Sequence, residues 1–189
     1  MTGLRRDAEA NRARLLEAAE RVFSQRGVDA SLEDVARAAG IGPATLYRRF
    51  GNKQTLVRQV LDAFFGRLVE LADEALAEPP DRCLDRYLET VGYELAARRG
   101  FMHGMWGDLA PAELIADLRT RTAQLLDRAK HGGGINEQVT VDDIAAVVWA
   151  LRGIIHAGEQ AAPDVWRRHL TYVLAGFRVA PAQVTRPRR

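Results

Sequence analysis

Thr45, Tyr47, Arg48 and Arg49 crowd into five consecutive residues of the stretch GIGPATLYRRFGNK, residues 40 to 53. A hydroxyl, a phenol and two guanidinium groups are all hydrogen-bond donors, and a cluster of donors suits a polyanion. A guanidinium forks onto phosphate oxygens or onto the edge of a guanine, and a phenol takes one phosphate oxygen. A helix of about two turns buries little apolar area, so packing alone does not explain it. The chemistry on offer is recognition.

Bond-making chemistry finds poor support elsewhere. His103, His131, His156 and His169 lack the H-x-x-x-H or E-x-x-H spacing that gathers metal ligands on one helix face. Gly132-Gly133-Gly134 is followed by Ile-Asn-Glu and not by Lys-Ser/Thr, so it reads as a flexible linker rather than a phosphate-cradling loop. Cys83 has no activating partner near it in sequence and reads as a small helix residue beside a turn. The expectation is that the chain is not an enzyme, with no cofactor and no metal.

The positioning elements read as helices throughout. Ala, Leu, Arg and Glu dominate, and apolar residues return at helical spacing. The first helix is predicted from Ala8 or Asn11 to Arg26, with Leu15, Ala19, Val22 and Phe23 on one face and Gly27 as its stop. SLEDVARAAG predicts the second, with Ser31 and Asp34 as a capping box and Gly40 at its end. Pro43 opens the third at its first position, and Gly51 closes it after Phe50. Asn52 caps a long fourth helix to about Glu78, before Pro79-Pro80. Further helices are expected over 81–99, 111–131, 141–157 and from Pro163 to near Val179, with one short helix in FMHGMWGDLA, residues 101–110. That is an all-α fold of about nine helices, or about eight if the short one does not form.

Helix, tight glycine turn and short helix make a helix-turn-helix. Gly40 and Gly42 are expected to supply the unusual backbone angles of the turn. On a wheel with Leu46 at zero, Phe50 falls at about 40°, so these two face inward. Ala44 falls at about 160°, Arg48 at about 200° and Thr45 at about 260°, the outward side, while Tyr47 at about 100° and Arg49 at about 300° flank it. Such a face fits a major groove, with Arg48 for a guanine and Thr45 for a thymine methyl or a hydrogen-bonding edge. Tyr47 suits a phosphate or else packs half-buried, and Lys53 suits a phosphate or else is a solvated cap residue. The Ser31 hydroxyl, or the backbone N–H groups beside it, offers another phosphate contact. The candidate DNA-facing set is therefore Ser31, Gly42, Ala44, Thr45, Tyr47, Arg48 and Lys53, with Arg49 secondary. Arg5, Arg6 and Arg12 form a basic arm ahead of the first helix, suited to backbone or minor-groove contact.

Charge placement agrees with this end of the chain meeting a polyanion. Net charge is only +2, yet residues 1–60 carry 11 Lys/Arg against 7 Asp/Glu, and residues 61–180 carry 13 against 18. The tail 181–189 adds three arginines, Arg186, Arg188 and Arg189, and reads as a disordered solubilising end. A single cysteine excludes an internal disulfide, and neither a membrane span nor a secretory signal is legible, so a soluble cytoplasmic protein is expected. The rival reading is a helical interaction module without DNA binding, against which stand the charge reversal near residue 60 and the outward Arg48.

Residues 15–61, LLEAAERVFSQRGVDASLEDVARAAGIGPATLYRRFGNKQTLVRQVL, resemble the N-terminal domain of the TetR family of transcriptional repressors. The A-A…F…G-x-x-x-S/T start, the V-A-x-x-A-G turn and the L-Y-x-x-F-x-x-K close stand in order. The resemblance implies a homodimer on a palindromic operator in double-stranded DNA, with contacts from Thr45, Tyr47, Arg48 and Lys53, and a small-molecule effector. Domains are then expected at 1–51 for DNA binding, joined by a helix of about 52–78, and at 52–180 for effector binding and dimerisation. VDDIAAVVWALRGIIHAG is apolar nearly all round, as a helix central to the monomer or shared with a partner would be. The resemblance favours its pairing with PDVWRRHLTYVLAGF in a four-helix dimer interface. Phe64, Phe65, Tyr93, Phe101, Met102, Met105, Trp106 and Trp149 line an apolar effector cavity or else fill an ordinary core, and His103 and His156 are the candidate polar anchors.

Overall fold

The computed structural model describes residues 2–98, 109–158 and 164–179. Among them it is all-helical: α1 (Thr2–Arg26), a single 3-10 turn (Gly27–Asp29), α2 (Leu32–Ala38), α3 (Pro43–Phe50), α4 (Lys53–Leu76), α5 (Cys83–Ala97), α6 (Ala112–His131), α7 (Val141–Ala157) and α8 (Val165–Phe177). The short helix expected in 101–110 falls largely outside the described residues.

Local chemistry explains most of the boundaries. Gly27, Gly40 and Gly51 end α1, α2 and α3 at φ of 65°, 68° and 74°, the left-handed region where a Cβ would be strained. The Asn52 side chain accepts the Thr55 N–H at 2.9 Å and so caps α4. Both capping boxes are formed, Ser31 with Asp34 at α2 and Thr140 with Asp143 at α7. α4 stops before the expected Glu78, because the N–H groups of Ala77 and Glu78 turn back to Glu74 and Ala75 and tighten the chain ahead of Pro79.

Two expectations are corrected here. α1 extends back to Thr2, since Ala8, Ala10 and their charged neighbours are all competent helix formers, so Arg5, Arg6 and Arg12 lie within a helix and not on an arm ahead of one. Gly42 sits at φ −70° and ψ 141°, ordinary extended backbone open to any residue, and Gly40 alone carries the unusual angle of the turn.

The chain packs as two compact units. The first takes residues up to 69 with 94–98 and 109–118, the second 70–93 with 119–158 and 164–179, so α4 runs from one into the other. In the first unit, Leu15, Ala19 and Phe23 of α1, Val35 of α2, Leu46 and Phe50 of α3, and Leu56, Val60 and Leu61 of α4 close one core. A part-buried ion-pair cluster joins three of its helices: Arg98 reaches Glu20 of α1 and Glu94 of α5, and Arg67 of α4 lies 3.8 Å from Glu94. Burial raises the Glu20 carboxyl pKa, against the lowering pull of Arg98.

In the second unit α7 packs against α8. Ile144, Val147, Leu151 and Ile155 form the inward stripe of α7, facing the same core as Trp166, Leu170 and Leu174 of α8. The Tyr87 phenol is buried there with Thr122 as its hydrogen-bond partner, and burial pushes it up from 10.0 to about 12. Cys83 is buried, its thiol directed at the carbonyls of Pro80 and Leu125. No helix among the described residues is long and apolar enough to cross a membrane.

Candidate nucleic-acid interface

The short α3 is held from below and open above. Leu46 is fully buried and Phe50 is 4% exposed, so the two anchor residues lie inward as the wheel requires. Pro43, Ala44, Thr45, Tyr47, Arg48 and Arg49 are all exposed. Pro43 at the first helical position has no N–H to leave unpaired, and Gly42 serves as N-cap without a side chain. Gly42, Ala44, Thr45 and Arg48 therefore share one solvent-facing surface, with a small residue beside a hydroxyl and a guanidinium. That surface admits a groove edge close to the backbone.

Lys53 is half-buried at the first residue of α4, and its ammonium lies 6.0 Å from the centre of the Phe23 ring. Tyr47 is 44% exposed, and its hydroxyl donates to Glu33 Oε1 at 2.9 Å. Its own backbone N–H, and next the Tyr47 hydroxyl, hold the Glu33 carboxyl below its ordinary range. The same bond and the charge behind it raise the phenol.

Ser31 caps α2. Its hydroxyl donates to Asp34 Oδ2 at 2.9 Å and accepts the Asp34 N–H at 3.1 Å, and its own N–H donates to Asp34 Oδ2 at 3.1 Å. A hydroxyl has one proton to give, so in this arrangement Ser31 is committed as the cap of α2. Asp34 also receives Arg26 at 2.6 Å and Arg37 at 3.2 Å. With the Ser31 N–H as the leading cause, its carboxyl is held at about 2. Arg12 likewise has a partner, donating from Nε and Nη2 to Gln59 Oε1 of α4 at 3.2 and 3.0 Å. That fixes it on the flank of α4 instead of on a free arm. The side chains of Arg5 and Arg6 lie outside the described part.

The described residues expected to line an effector cavity fall in both units. Phe64 and Phe65 are buried in the first unit, ring to ring at 5.6 Å and 77°. Tyr93, Trp149 and His156 belong to the second unit. Tyr93 packs edge-on against Trp166 at 5.2 Å, with the Arg167 guanidinium 4.9 Å from its ring. Trp149 is 57% exposed, with Arg152 over its ring at 5.1 Å, and His156 is exposed. Trp149 lies with Ala146, Ala150 and Gly153 on the exposed side of α7. Phe101, Met102, His103, Met105 and Trp106 lie outside the described residues.

Glu33 is the residue that sequence reasoning missed. The signal was an acidic residue one position before Asp34, in a first turn where only Asp34 had an evident capping role.

Comparison with known proteins points the same way for both the N-terminal and the C-terminal part of the sequence. Residues 15–60 match the family model of bacterial regulatory proteins, tetR family, and residues 79–179 match that of the transcriptional regulator SbtR-like C-terminal domain. The HTH-type transcriptional regulator TtgR of Pseudomonas putida is 37% identical over 93 residues, 47% of this chain and 44% of that protein. The match thus spans less than half the length of this curated relative. A TetR transcription regulatory protein from Mycobacterium vanbaalenii superposes with a TM-score of 0.72 at 31% identity, over 93% of this chain and 99% of that one. The TetR transcriptional regulator SCO0520 from Streptomyces coelicolor gives 0.67 at 29% identity, over 88% and 98%.

Proposed function

The chain belongs to the TetR family of bacterial regulatory proteins, and on that premise we propose that it is a sequence-specific DNA-binding transcriptional repressor. It binds a palindromic operator as a homodimer in the cytoplasm and leaves it when a small-molecule effector binds. The observation that carries the reading is the outward surface of α3, with Thr45 and Arg48 exposed and Leu46 buried beneath them. Arg48 reads a guanine edge, Thr45 a neighbouring base, and Lys53 and Tyr47 hold the flanking phosphates.

A single recognition helix grips too few phosphates for useful selectivity, and a dimer doubles the contact at a spacing of about 34 Å. Support for the dimer comes from α7 and α8. Ala146, Trp149, Ala150 and Gly153 on one helix and Thr171, Tyr172, Ala175 and Gly176 on the other are all exposed. Small residues let a facing helix approach, and the large aromatics Trp149 and Tyr172 serve as anchors. One surface pairing with its own copy about a two-fold axis gives the symmetry that a palindrome requires. Release by an effector rests on the family resemblance. Ligand binding would act by favouring a dimer geometry in which the two α3 helices no longer match the groove spacing.

The test is to measure binding to mixed-sequence duplexes across a range of salt and then to select bound sites from random DNA. The expected result is steep salt dependence and an inverted repeat. A protein–protein module would give neither.

A further inference from the structure

The phenol that should meet a DNA phosphate is already engaged. The Tyr47 hydroxyl has one proton, and it is donated to Glu33 Oε1 at 2.9 Å across the turn between α2 and α3. A phosphate oxygen can only accept, so a Tyr47–phosphate bond requires that proton to leave Glu33. The carboxylate left behind would then stand beside a second anion. Both residues are exposed, so nothing in the core fixes the pairing, and the bond can open without unfolding α3. Ser31, the other hydroxyl at this end of α2, has its proton on Asp34. Each hydroxyl expected to face the backbone is thus met by a carboxylate of α2.

We propose that Glu33 is an intramolecular competitor for the DNA backbone: it holds the Tyr47 hydroxyl in the free protein and must be displaced when Tyr47 takes a phosphate. This rests on the DNA-binding reading of α3 above. Its consequence is a brake on indiscriminate binding. A complex with arbitrary sequence has no base contacts to hold α3 deep in the groove, and it gains little from Tyr47 while Glu33 retains the proton. The lowered Glu33 carboxyl and raised Tyr47 phenol agree with a bond of this polarity.

The experiment is a double-mutant cycle on the full-length chain, read as affinity for a mixed-sequence duplex three helical turns long at fixed low salt. Glu33→Ala is expected to tighten binding by at least about threefold, the scale of one solvent-exposed hydrogen bond released. Tyr47→Phe is expected to weaken the Glu33→Ala protein by about fivefold or more, and the wild type by less than about twofold, because in the wild type the phosphate bond only replaces the Glu33 bond. Glu33→Gln removes the charge but keeps an acceptor for the phenol, and should tighten binding by a smaller factor. It also guards against loss of α2 stability in the alanine variant. No gain in either Glu33 variant, or an equal Tyr47→Phe effect in both backgrounds, overturns the proposal and leaves DNA binding standing. A wild-type protein without salt-dependent duplex affinity overturns both.

Discussion

Gly92 offers a prediction whose sign is decided by geometry. It lies in the middle of α5, where alanine normally stabilises a helix by about 1 kcal/mol over glycine. Here, though, a Cβ would lie 2.2 Å from Cζ3 of Trp166 and 2.8 Å from Cε3 and Cη2, against the 3.4–4 Å of ordinary contact. The ring cannot simply retreat. It is 2% exposed, stacked edge-on with Tyr93 at 87°, and carries the Arg167 guanidinium 5.6 Å from its centre. A 2.2 Å approach to a ring that cannot retreat puts the cost in the upper part of the overpacking range, about 2–3 kcal/mol, so the clash outweighs the propensity gain of about 1 kcal/mol, for a net loss of about 1–2 kcal/mol. At about 2–4 °C per kcal/mol, the melting temperature of Gly92→Ala should fall by roughly 2–8 °C. Gly66 in α4 is the control, since nothing lies within 4 Å of its added Cβ, and Gly66→Ala should melt at or above the wild type. Thermal unfolding followed by circular dichroism at one protein concentration reads both. If Gly92→Ala rose as Gly66→Ala does, the packing of Trp166 on the α5 backbone would be refuted.

The remaining predictions concern the surfaces and pH. Lys53→Ala should weaken every duplex alike and lower the slope of log affinity against log salt by about one per recognition helix, read by fluorescence anisotropy. Gly153→Glu meets open space within one chain but sets a charge on the proposed partner face, so it should fold, sediment as a monomer and lose operator affinity. The buried Tyr87 phenol has a folded pKa of about 12 against 10.0, so the stability it lends is complete below pH 10.0 and is lost as pH rises through about 12. Urea unfolding should show a decline of about 3 kcal/mol across that window, and Tyr87→Phe should remove this component of it.

What the sequence made legible was local. α3 runs over Pro43–Phe50 as expected, because a proline at the first turn and a glycine after the last residue specify both ends within the segment itself. The two capping boxes were equally readable, each being a contact three residues apart. α7 read as apolar nearly all round, and its division into an inward stripe of Ile144, Val147, Leu151 and Ile155 and an exposed side with Ala146, Trp149, Ala150 and Gly153 was not legible, because Val148 and Ile154 blur the period. Contacts between elements were the least readable. Arg12 meets Gln59 across 47 residues and Tyr47 meets Glu33 across 14, and no periodicity encodes such a meeting. Ser31 was legible as the cap of α2, where its hydroxyl donates to Asp34.

The central claim is that Arg48 reads a base from the outward side of α3. Site selection from random duplex DNA, run side by side on the wild type and Arg48→Ala, tests it most directly. The account predicts an inverted repeat for the wild type, and for the variant a loss of about 1–3 kcal/mol on that site together with relaxed preference at one position of each half. An Arg48→Ala protein that kept both the affinity and the full pattern would contradict it.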